Sequence, residues 1–126
     1  MKEEIRILKE RATKFERDAK FDFEQNDFDL AMFHIEQAFQ LNLKAKLLEL
    51  EGFFDRTHSL RRLLEHLIKI GFKSMELKSF ITKNKYVLRN LERAYITSRY
   101  LYDEFFEEEV DEAFRALNDL KELLWE

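Results

Sequence analysis

The chain has 126 residues, 22 Lys or Arg against 26 Asp or Glu for a net charge of −4, no cysteine, no proline and two glycines. This composition excludes disulfides, thiolate zinc sites and cysteine nucleophiles, and it argues against strand-rich folds, which need turn residues at short intervals. No apolar run approaches the roughly 18 residues of a membrane span and the N-terminal segment MKEEIRILKERA is charged, so the expectation is one soluble, nearly all-helical domain of cytoplasmic type without a secretory signal. Abundant Lys and Glu with no cysteine point to a thermophilic source.

The first predicted helix runs from Lys2 to Gln25, with Ile5, Leu8, Ala12, Phe15 and Ala19 on one face at steps of three and four. A linker of a residue or two makes it an antiparallel hairpin with the second helix, Asn26 to Gly52. Asn26 or Asp27 is expected to cap that helix through a side-chain oxygen, and Gly52 to end it in the left-handed conformation. Its stripe is Ala31, Ile35, Ala38, Ala45 and Leu48, widened by Phe28, Phe39 and Leu41.

After the loop FFDRTHS, Thr57 or Ser59 is placed to cap a third helix, LRRLLEHLIKI, whose stripe is Leu60, Leu63, Leu64, Leu67 and Ile68 and which Gly71 ends. A short turn of helix follows through Phe80. The fourth helix spans about Asn84 to Tyr102, with Leu88, Leu91, Tyr95, Ser98 and Tyr102 along one side. The fifth begins near Asp103 with an acidic first turn and repeats Phe106, Val110, Ala113, Leu117, Leu120 and Leu124, a seam that closes the bundle or meets a second copy. The fold class is all-α: an up-and-down bundle of four main helices plus an additional short or C-terminal helix.

From Arg56 to Arg99 eleven basic residues stand against three acidic ones, +8, which leaves −12 for the remainder. Two readings are open. One is an anion site for nucleotide or RNA phosphates. The other is internal balance, with basic helices three and four facing the acidic first turn of helix five or the same surface of a partner subunit.

Three segments together resemble the HEPN family of small prokaryotic helical domains. On the long second helix these are Phe33, His34, Gln37, Ala38, Lys44, Ala45, Leu47 and Leu48; at the start of the third, Thr57, His58, Leu60, Leu63 and Leu64; near the end of the fourth, Arg99 and Tyr100. Order, spacing and length fit over most of the chain, which reads as one HEPN-like helical domain over 1–126. The resemblance implies a homodimer, often encoded beside a minimal nucleotidyltransferase in a toxin–antitoxin-like module, with nucleotide or RNA as ligand and no other cofactor.

Some members of that family are metal-independent ribonucleases carrying an Arg-x4-6-His motif. Here the segment that starts at Arg89 has Tyr95 where histidine is required, and a phenol is a poor base at neutral pH. Arg61 and His66 match the spacing, but residues five apart on a helix point roughly 140° apart, so they do not readily share a substrate within one subunit. The expectation is therefore a non-catalytic nucleotide- or RNA-binding subunit, with a ribonuclease toxin and a structural helical adaptor as alternatives. The binding candidates are Arg99, Tyr100, His58, Lys44, Gln37 and Arg89. For His58 the structural alternative is a helix cap, for Arg99 an ordinary surface pair with Asp103, and for Gln37 and Lys44 a solvated helix face. His34 reads as a satisfied histidine at the border of the core. His34, His58 and His66 form no i,i+4 ligand pair, so no metal is expected.

Overall fold

The structure, a computed structural model, describes the backbone of residues 1–100 and 104–126, and the side chains of these except 98–100. Six helices are present among the described residues: α1 (Lys2–Glu24), α2 (Phe28–Glu51), α3 (Leu60–Lys69), α4 (Ser74–Lys83), α5 (Lys85–Tyr100) and α6 (Glu107–Trp125). The expected all-helical bundle is thus observed, and the short turn through Phe80 is a full ten-residue helix, α4. No described helix is long and apolar enough to cross a membrane.

α1 and α2 form the expected antiparallel hairpin, with Met1 beside Gly52 at its open end. The chemistry of the turn differs from the expectation. Asp27 is the N-cap of α2 but its side chain accepts no capping bond. Asn26 closes α1 instead: it sits at φ 62°, Asn26 N–H donates to Phe23 O at 3.0 Å, and Asp27 N–H donates to Asp22 O at 2.9 Å. These are the paired bonds of a left-handed helix C-terminus, a conformation that asparagine tolerates better than most residues.

The other signals act where they were read. Gly52 ends α2 at φ 81°. Ser59 Oγ accepts from Arg62 N–H at 3.3 Å to cap α3, and Thr57 Oγ1 accepts from Ser59 N–H at 3.1 Å. Gly71, at φ 87°, ends α3 with Gly71 N–H to Ile68 O and Phe72 N–H to Leu67 O, both 3.0 Å.

α2 is the axis of the bundle, packed against α1, α3, α5 and α6. It is buried around most of its circumference, so one stripe understates what it covers: Met32, Leu43 and Leu47 are as fully buried as Ile35 and Phe39. The seam of α6 closes the bundle within the chain, burying Val110, Ala113, Ala116, Leu117, Leu120 and Leu124. Its first predicted member is corrected. Phe105 is buried and Phe106 is 66% exposed, because α6 starts at Glu107 and Phe106 is its extended N-cap residue, whose N–H donates to Glu109 Oε1 at 2.8 Å. Asp103, expected in that first turn, and Tyr102 lie outside the described residues.

Candidate nucleotide-binding cavity

Three elements meet at one cavity beside α2. A cavity of about 590 Å3 is lined by Gln40 and Lys44 from α2, by Phe54, Arg56, Thr57 and His58 from the loop before α3, and by Tyr95 from α5. The loop is held in place at its end by the Ser59 cap, and Ser59 Oγ also donates to Glu92 Oε1 of α5 at 3.3 Å. That bond ties the start of α3 to the helix carrying Tyr95. His58 does not cap α3; its ring packs against Tyr95 with centroids 4.3 Å apart and planes at 50°. Lys44 Nζ lies 5.5 Å from the centre of the Phe54 ring, within reach of a cation–π contact.

Beneath the cavity a polar ladder runs along α2 at steps of one helical turn. Glu36 is fully buried. Its carboxylate accepts from Gln37 Nε2 at 2.7 Å and from Gln40 Nε2 at 2.5 Å, and Gln40 Oε1 accepts from Lys44 Nζ at 3.3 Å. Burial pushes the Glu36 carboxyl up to about 7, against the opposing hydrogen bonds from Gln40 and Gln37 and the charge of Lys44. Burial likewise lowers the Lys44 ammonium, opposed by Glu36.

Two of the six binding candidates, Lys44 and His58, therefore share the cavity. Gln37 is half-buried and serves Glu36. Arg89 lines a separate cavity of about 390 Å3 with Arg61, Lys85, Tyr86, Leu88 and Glu92. The side chains of Arg99 and Tyr100 lie outside the described residues. The residues that sequence reasoning did not select as binding candidates are Gln40, Phe54, Arg56, Thr57 and Tyr95, together with the buried Glu36. The signal for Glu36 and Gln40 is the run Glu36, Gln40, Lys44 at i,i+4 spacing inside an otherwise apolar helix.

The remaining histidines have protein partners. His34 Nδ1 is 2.5 Å from Asp22 Oδ2, as expected for a border histidine. His66 Nδ1 is 3.0 Å from Asp55 Oδ2 and its Nε2 is 3.6 Å from Glu51 Oε1, in a different cavity from Arg61, so the spacing match of Arg61 with His66 makes no shared site within the chain. Among the described residues no group of three or more His, Cys, Asp or Glu is arranged to hold a metal ion.

Internal balance accounts for only part of the basic segment. Lys83 Nζ lies 3.7 Å from Asp119 and Lys73 Nζ donates to Leu123 O at 2.7 Å, both on the later half of α6. Arg56, Arg61, Arg62, Lys85 and Arg89 make no ion pair with a described carboxylate.

The all-helical bundle agrees with the family match. The chain matches the family model of the HEPN domain over residues 5–125 and belongs to that family. Membership indicates a function related to nucleotides or RNA, and HEPN domains commonly dimerise. No curated protein and no solved structure matches the chain.

Proposed function

We propose that this chain is a non-catalytic, nucleotide- or RNA-binding HEPN subunit that works as a homodimer with a nucleotidyltransferase partner in a toxin–antitoxin-like module. One observation carries the binding part: Lys44 and Arg56 meet the rings of Phe54, His58 and Tyr95 around one cavity. Cations neutralise phosphate and flat rings stack on bases, so this combination suits a nucleotide better than it suits an uncharged ligand. The exposed apolar residues Ile96 on α5 and Phe106 before α6 support a contact with a second copy.

The test is titration of the purified chain with labelled single-stranded RNA and with ATP at two salt concentrations, in EDTA. Salt-sensitive binding without cleavage is expected, and absence of binding to both contradicts the reading. The ribonuclease reading draws on one observation, that His58 brings an imidazole to Tyr95, the position where the Arg89 motif lacks histidine. RNA cleavage in EDTA that His58→Ala abolishes would put that reading in place of the first.

A further inference from the structure

The cavity of about 390 Å3 that holds Arg89 follows the first one along α5. Arg61 of α3 lines it with Lys85, Tyr86, Arg89 and Glu92 of α5, and Tyr95 of the same helix lines the first cavity. At 3.6 residues per turn, Lys85, Arg89, Glu92 and Tyr95 fall within about 120° of arc, and at 1.5 Å per residue Tyr95 stands about 9 Å from Arg89 and about 15 Å from Lys85 along the axis. The Ser59–Glu92 hydrogen bond joins the two cavities: Glu92 lines one, and Thr57 and His58, just before Ser59, line the other. Arg61, Lys85 and Arg89 are exposed and make no ion pair with a described carboxylate. Tyr86 is 67% exposed, and Lys85 Nζ lies 5.3 Å from the centre of its ring. Among the described residues Glu92 is the one carboxylate lining either cavity, against the cations Lys44, Arg56, Arg61, Lys85 and Arg89.

We infer that the two cavities are consecutive subsites for one single strand of RNA, with a base stacked in the first and the phosphates that follow held by Arg61, Lys85 and Arg89 in the second. This rests on the nucleotide- or RNA-binding reading and narrows its ligand from a mononucleotide to a strand. A mononucleotide fills one cavity and leaves the cations of the other without a counter-charge. A strand that rises about 3.4 Å per stacked nucleotide spans the distance along α5 in about three to five nucleotides. Guanidinium groups match phosphate oxygens two at a time, which suits Arg61 and Arg89 to this role. The exposed ring of Tyr86 and the rings of the first cavity offer stacking to unpaired bases, whereas a duplex keeps its base faces covered. An acidic peptide shares the charge of RNA but carries no base to stack.

The experiment varies strand length. The full chain is titrated in EDTA at low salt with oligoriboadenylates of two, four, six and eight nucleotides. The octanucleotide is expected to bind at least about thirtyfold more tightly than the dinucleotide, with most of the gain reached by six nucleotides, because the shorter ligand cannot occupy both cavities. The double variant Arg61→Ala, Arg89→Ala removes two exposed side chains, and its folding is checked by thermal melt. It should cut that ratio to about sevenfold or less, the number of registers a two-nucleotide site has on eight nucleotides, and lower the slope of log affinity against log salt by about 1.4 for two lost phosphate contacts. A wild-type ratio no larger than the register count overturns the second subsite while leaving nucleotide binding in place. So does a double variant that keeps the full length dependence, or an octaglutamate peptide that displaces the octanucleotide as well as unlabelled octanucleotide does. Binding of none of the four lengths overturns the underlying reading as well.

Discussion

Two sets of polar groups are built into the buried surroundings of α2, and they end differently. Toward α1 and α6 the contacts close on themselves. Asn42 Nδ2 donates to Ala38 O at 2.8 Å while its Oδ1 accepts from Trp125 Nε1 at 3.0 Å; Asp22 meets His34 at 2.5 Å, and Glu16 meets Lys121 at 2.7 Å. Toward the loop and α5 the ladder from Glu36 through Gln40 to Lys44 ends at a cavity, where Lys44 has donors to spare. Closed polar contacts fix how helices meet. An open ladder places a desolvated cation beside aromatic rings, an arrangement that becomes favourable when an anionic, aromatic ligand occupies it. On the proposed function, the difference separates polar groups that serve the fold from those that would serve a ligand.

The largest predicted effect lies at the foot of the open ladder. Folded Glu36 keeps its proton up to about pH 7, whereas the unfolded chain releases it near the ordinary value of 4.5. Between these values the folded state binds more protons. The Glu36 contribution is therefore fully present below the unfolded value, is lost as pH rises through the folded one, and is flat above it. Relative to Glu36→Gln, the unfolding free energy of the wild type should fall by about 3 kcal/mol between pH 4.5 and pH 8, read by denaturant unfolding at each pH. Parallel pH profiles for the two proteins would count against the open ladder as described.

On the closed side, Asn42→Ala removes two hydrogen bonds and leaves the Trp125 N–H without its partner. It should cost about 2 kcal/mol of stability. RNA affinity, measured on the variant below its unfolding transition, should change by less than about twofold, since Asn42 touches the core and not the cavity. A smaller effect, of opposite kind, is expected from Arg56→Ala. This exposed cation should leave the melting temperature unchanged while weakening RNA binding severalfold and reducing the slope of log affinity against log salt by about 0.7, one contact to a single strand. The smallest belongs to neither set. Arg6 pairs with Glu3 and Glu10 on the exposed face of α1, and Arg6→Ala should alter neither melting temperature nor RNA binding measurably.

Sequence reading succeeded where a residue's local chemistry decides its conformation. Gly52, Gly71 and Ser59 mark helix ends through their own backbone or side-chain preferences, and the stripes of α1, α3 and α6 follow from helical spacing. It erred where neighbours decide. Asn26 has the same turn chemistry whether it caps the helix after it or closes the one before it, and the left-handed φ decides for the latter. Phe105 and Phe106 are chemically identical, and only the start of α6 at Glu107 determines which one is buried.

The site was legible in part for the same reason. Lys44 and His58 stood out through the family resemblance, but Phe54 and Arg56 reach the cavity along a loop whose path depends on Ser59 binding Glu92, a contact 33 residues apart. Glu36 and Gln40 fall on a helix buried around most of its circumference, where a polar residue can end in a closed pair or an open cavity. The two cases look alike in sequence and differ only in what α5 and the loop bring to the other side.

The most direct test of the central claim is the affinity of Lys44→Ala for labelled single-stranded RNA, measured beside the wild type at low salt. Loss of a charge-assisted contact in a desolvated site should weaken binding by about tenfold to a hundredfold, with the thermal midpoint held or slightly raised as a half-buried charge is removed. Unchanged RNA affinity, or a large loss of stability without a loss of affinity, would place Lys44 among the closed structural contacts and contradict the account.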